Sequence, residues 1–86
     1  MNQYLIVLEK SDSGFSAYST DVPGCIATGE TLEQTRESMC SALRLHLQDE
    51  AEWPEPRGID AYLEALQMSE GEEFYLTPVV VELETA

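Results

Sequence analysis

Eighty-six residues with four lysines and arginines against seventeen aspartates and glutamates carry a formal net charge of −13, which disfavours sequence-independent nucleic-acid binding by this chain alone. Apolar residues make up 43% of the chain, too many for a disordered acidic tail, and no apolar run approaches the length that crosses a bilayer. These bounds leave one small domain with a marginal core, whose charge either attracts a basic protein partner or simply keeps it soluble.

Tyr4 to Leu8 is apolar on both alternating faces, which suits a central strand covered on both sides. Ser11-Asp-Ser-Gly14 predicts a four-residue hairpin loop, and Phe15 to Ser19 a second strand with Phe15, Ala17 and Ser19 on one face and Ser16, Tyr18 and Thr20 on the other. Val22-Pro-Gly-Cys25 matches a type II turn, since Pro presets φ at the second position and Gly supplies the positive φ needed at the third. A short third strand from Cys25 to Thr28 then ends at Gly29.

Thr31-Leu-Glu-Gln34 reads as a capping box: the Thr31 hydroxyl accepts from the Gln34 N–H, and the Gln34 side chain reaches back toward the Thr31 N–H. The main helix therefore starts at Leu32. Leu32, Thr35, Met39, Leu43, His46 and Leu47 form a stripe facing the sheet, flanked by Cys40 and Ala42. Glu33, Glu37, Ser41, Arg44 and Gln48 lie opposite, and Leu45 falls on that polar side. Trp53-Pro-Glu-Pro56 stops the helix.

Ile59 to Met68, with apolar residues at Ile59, Tyr62, Leu63 and Leu66, predicts a second, shorter helix. Ser69 to Glu73 forms a polar turn, Phe74 to Leu83 a fourth strand, and Glu84-Thr-Ala a frayed end. Pro78 donates nothing to a ladder, so this strand is an edge or carries a bulge there. The expected fold class is α+β, in the order β-β-β-α-α-β: a three-stranded antiparallel meander, a helical crossover and a fourth strand. A right-handed crossover returning beside the first strand gives sheet order 3-2-1-4, with the fourth strand parallel to the first.

The hairpin followed by Asp21-Val-Pro-Gly-Cys-Ile-Ala-Thr-Gly-Glu-Thr-Leu-Glu-Gln34 and a helix resembles the HicB-like antitoxin family over residues 4 to about 50, and the Pro-rich linker with a closing strand extends the likeness loosely to the rest. The resemblance implies a partial ribonuclease-H-like fold and a single antitoxin domain over residues 1–86. It further implies a partner, a small basic mRNA-cleaving toxin with a double-stranded-RNA-binding-like fold, silenced by blocking its active site. Longer relatives carry a C-terminal DNA-binding segment. Only three residues follow Leu83 here, without a basic helix, so no separate DNA-binding domain is expected.

Chemistry finds little footing. The carboxylates a two-metal nuclease would need, from Glu9, Asp12, Asp21, Glu30 and Glu82, are scattered around the sheet, and surface solvation is the plainer reading. Cys25, Cys40 and His46 lack the close paired spacings of a zinc site, so the two cysteines are read as packing residues and His46 as a histidine at the core edge. No enzyme activity, metal or cofactor is expected. Two cysteines and the absence of a signal peptide point to the cytoplasm. The candidate partner or self-association residues are Tyr18, Leu45, Trp53, Val79 and Val81, the last two on an edge open to strand pairing. A homo-oligomer is expected, a dimer first and a tetramer as the alternative. The rival readings are an orphan oligomeric module without a toxin and a residual metal-dependent nuclease.

Overall fold

The two-sided apolar run of the first strand becomes the middle of the molecule. In the computed structural model, which describes residues 2–69 and 73–81, β1 (Asn2–Ser11) pairs on one side with β2 (Gly14–Tyr18) and on the other with β4 (Phe74–Val81). The short β3 (Ile26–Gly29) pairs with β2, so the sheet order is β3-β2-β1-β4 as the sequence predicts. Tyr4 to Leu8 are all buried, alternately beneath the two helices. Ser11 pairs with Gly14, so Asp12 and Ser13 alone make the turn and the expected four-residue loop is shorter by two.

Helix α1 (Leu32–Gln48) covers one face of the sheet. Met39, Leu43 and Leu47 meet Tyr4, Ile6, Leu8 and Ala17 there, together with Val79 and Val81 of β4. Thr31 caps the helix as predicted, its Oγ1 accepting from the Gln34 N–H at 3.1 Å. The Gln34 side chain reaches one residue further back than expected, accepting from the Glu30 N–H at 3.3 Å. Thr35, the one polar residue on the buried stripe, donates its hydroxyl to the Thr31 carbonyl at 2.7 Å. Gly29 permits this tight junction: a Cβ there would stand 2.6 Å from Thr35 Oγ1 and 2.9 Å from its backbone nitrogen. His46, expected on the stripe, lies exposed at its margin.

Helix α2 (Ile59–Ser69) lies on the opposite face, where Ala61 and Ala65 pack against Leu5 and Val7 with Tyr18, Tyr62, Phe74 and Leu76 around them. This placement corrects the predicted direction of the last strand: β4 runs antiparallel to β1. Each helix traverses the sheet once. The chain leaves β3 at one end, returns along α1, passes to the other face through residues 49–58, and comes back along α2 to the end it left. A strand entering from that end must run against β1. Pro78 sits opposite Leu5 without a bulge, on the outer strand, which is the edge placement its missing N–H demands.

The linker carries its own fasteners. Trp53 packs against the core under α1, and the Tyr4 hydroxyl donates to the Pro54 carbonyl at 2.7 Å. Helix α1 has already ended at Gln48, with Asp49 as its C-terminal cap, so the prolines follow the stop instead of causing it. Part of the expected polar turn (residues 70–72) and the chain from Glu82 onward lie outside the described residues.

Candidate interaction surface

Asp21, one of the carboxylates read as surface groups, is buried. Its Oδ2 accepts from the Leu5 N–H at 2.7 Å and its Oδ1 from the Arg57 N–H at 2.9 Å. Ser19 completes the arrangement, donating its hydroxyl to the Leu5 carbonyl at 2.7 Å while accepting from the N–H groups of Asp21 and Val22, each at 3.1 Å. Side chains thus take over where the β1–β2 ladder ends, and they tie the linker to the sheet. The Arg57 guanidinium donates to the Thr20 carbonyl at 2.8 Å and to Glu64 at 3.2 Å, and the Glu64 bond holds its proton even more firmly than usual. Both partners are solvent-exposed or nearly so, and such a pair contributes little stability by itself.

The other candidate carboxylates do not converge with Asp21. Asp12 sits exposed in the hairpin turn, Glu9 on β1, Glu30 exposed just before α1, and Glu82 lies outside the described residues. Among the described residues no three histidine, cysteine, aspartate or glutamate side chains are grouped to hold a metal ion. Cys25 is buried, and that burial pushes its thiol pKa up, away from the reactive thiolate. Glu33 is held below the usual carboxylate range by its hydrogen bond to Arg36 at 2.9 Å, an exposed pair within one helical turn.

The candidate contact residues divide sharply. Leu45 is 66% exposed on α1, as its position on the polar side predicts. Tyr18 is half-buried beneath α2, and Trp53 is half-buried against the main core. Val79 and Val81 do not face outward at all. Both side chains are buried under α1, and the residue of that run presented to solvent is Val80.

Sequence reading missed two larger features. Ile59, Leu63 and Leu66 form the outward stripe of α2, opposite Ala61 and Ala65. The two alanines four residues apart were the available signal, because a helix lying close on a sheet needs small residues beneath it. Ile26, on β3, is 73% exposed. Beside it a groove of about 900 Å³ runs between β3 and the flank of α1, floored by Ser38, Ser41 and Ala42, ended by Leu45, and bordered by Glu30 and Glu37.

The architecture is thus an antiparallel four-stranded sheet with one helix on each face. The family model described as the HicB-like antitoxin of bacterial toxin–antitoxin systems matches residues 4–84, and the chain belongs to that family. It is 32% identical over 84 residues to an uncharacterised 14.9 kDa protein of the rep–hol intergenic region of Haemophilus phage HP1, covering 93% of this chain and 61% of that protein. The chain therefore spans about three fifths of that relative's length.

Among solved structures, the antitoxin HicB of Burkholderia pseudomallei superposes with a TM-score of 0.69 at 22% identity, over 95% of this chain and 63% of that one. A chain of the HicA3 and HicB3 toxin–antitoxin complex matches with a TM-score of 0.66 at 25% identity, over 96% of this chain and 99% of that one. The structure of the N-terminal domain of the Burkholderia antitoxin is matched over 99% of its length, with a TM-score of 0.65 at 22% identity.

Proposed function

We infer that this chain is an antitoxin that binds and silences a small basic toxin, an mRNA-cleaving protein with a double-stranded-RNA-binding-like fold, by occupying the toxin's active site. The observation that carries this reading is the family match running almost end to end, from residue 4 to residue 84. The likeness to a chain of a toxin–antitoxin complex supports it, as does the charge of −13, which steers a basic protein inward and accelerates its capture. In this reading the chain performs no reaction of its own. It works in the cytoplasm, where its toxin would otherwise meet mRNA.

The outward stripe Ile59, Leu63 and Leu66 supports a homo-oligomer, in the first instance a dimer, because three large aliphatic side chains at helical spacing form an apolar surface without a charge between them. Sedimentation showing only monomer at micromolar concentration counts against the oligomer. The antitoxin role is tested by co-expressing the chain with the small basic protein encoded beside it. Rescue of growth together with co-purification is the expected result. A neighbour that is harmless alone, or that does not co-purify, overturns the role.

A further inference from the structure

We propose that the groove between β3 and α1 captures an extended, basic segment of the toxin as a fifth strand of the sheet. The proposal deepens the antitoxin reading and rests on it. It begins with a difference between the two edges of the sheet. The outer edge of β4 carries Pro78, which blocks strand addition at its centre. The outer edge of β3, Ile26-Ala-Thr-Gly29, carries no proline and no charge, and β3 pairs with β2 alone among the described strands. Edges of this kind are normally guarded, because their unpaired N–H and C=O groups recruit other strands. The only guard here is shortness.

The surroundings fit an added strand. In an antiparallel ladder alternate residues point their backbone groups away from the partner, so two of the four β3 residues offer theirs outward. At about 3.3 Å per residue β3 is roughly 13 Å long, and the α1 flank from Gln34 to Leu45, at about 1.5 Å per residue, is roughly 16 Å. A segment of four or five residues therefore spans the groove. Its side chains would alternate: one set would rest on the floor of Ser38, Ser41 and Ala42 and against Leu45, and the other would cover Ile26, which projects from the opposite face of the sheet beside Tyr18. One occupant thus accounts for both Ile26 and Leu45, the most exposed large apolar residues of β3 and α1.

Charge selects the occupant. The ionisable residues lining the groove, Glu30 and Glu37, are both acidic, and the chain as a whole carries −13. A second copy would bring the same acidic rim and meet repulsion, whereas a strand bearing lysine or arginine beside apolar residues is complementary. Four or five residues bury too little for a whole interface of roughly 800 Å² per partner, so the groove anchors a larger contact.

The test uses the full chain and the small basic protein encoded beside it. Ser41→Trp fills the groove floor from an exposed position, and Glu37→Lys reverses one rim charge without adding bulk. Glu55→Gln, at an exposed linker position away from both the groove and the α2 stripe, serves as the control. The expected result is affinity weakened at least tenfold by S41W and by E37K, no change with E55Q, and hydrogen exchange slowed at least tenfold at two of the amides of Ile26–Gly29 in the wild-type complex. Wild-type affinity in S41W, with β3 exchange unaltered in the complex, overturns the groove while leaving the antitoxin role standing. Slowed β3 exchange in the chain alone, growing with concentration, assigns the groove to a second copy and overturns the proposal. Absence of any wild-type complex overturns the role and the groove together.

Discussion

Replacing Asp21 by alanine is expected to loosen the junction on which the two-faced fold depends. The carboxylate accepts from Leu5 N–H at 2.7 Å in a buried position and from Arg57 N–H at 2.9 Å in the linker just before α2, so one side chain holds β1 and the linker together. A hydrogen bond to a charged group contributes about 1.5–3 kcal/mol, and a buried N–H left without a partner costs about 1–3 kcal/mol. The Leu5 amide supplies the larger share, since the Arg57 amide is only partly buried and water can replace its partner. The expected loss is about 3 kcal/mol, a large fraction of the roughly 5–15 kcal/mol that holds a domain folded. With a urea slope of about 1 kcal/mol/M for a chain this small, the unfolding midpoint falls by about 3 M. Asp21→Asn keeps one acceptor and loses about half as much. Urea denaturation followed by circular dichroism measures both, and hydrogen exchange at Leu5 locates the effect. A midpoint for D21A within 0.5 M of wild type refutes the fastening role.

Enlarging Ala65, which is fully buried between α2 and β1, to leucine pushes the helix off the sheet and costs about 1–3 kcal/mol in the same assay, whereas Gln67→Ala at an exposed position of the same helix stays within about 0.5 kcal/mol. Thr31→Ala removes the acceptor for the Gln34 N–H and lowers stability by about 1 kcal/mol, with thermal melting as the readout. Burial raises the Cys25 thiol above its ordinary value of 9.0, so the folded chain holds that proton more tightly than the unfolded chain. Its contribution is complete below the unfolded value and is lost as pH rises toward the folded one, so the stability difference between wild type and Cys25→Ala shrinks from pH 8 to pH 10. Titration with a thiol reagent at pH 8 should modify the partly exposed Cys40 well before Cys25.

The meander and the main helix were legible because their signals are local. A continuous apolar run marks β1 and alternation marks β2, Val22-Pro-Gly-Cys25 places a turn in which Gly24 does adopt φ 84°, and the Thr31 cap fixes the start of α1. Strand order was legible too, since a two-sided apolar strand belongs in the middle. The direction of β4 was not, because it depends on which face α2 covers, and an eleven-residue helix carries no mark of that in its sequence. Large apolar side chains also misled: burial follows the space available, so Ala61 and Ala65 lie inside while Ile59 and Leu63 remain outside. Asp21 preceding Val-Pro-Gly reads as a turn residue. Only the meeting of β1 with residue 57, far along the chain, reveals it as a buried acceptor. Val79 and Val81 do lie on an outer strand, yet alternation turns their side chains inward and leaves Val80 to the solvent.

The central claim, that this HicB-family chain silences a small basic toxin by direct contact, is tested most directly by titrating the purified chain against the purified neighbouring protein while following mRNA cleavage. The account predicts that the neighbour cleaves mRNA alone and that cleavage falls to background at a fixed stoichiometry, with a complex of the same stoichiometry in sedimentation. Cleavage that persists with the chain in excess, or a neighbour without ribonuclease activity, contradicts it.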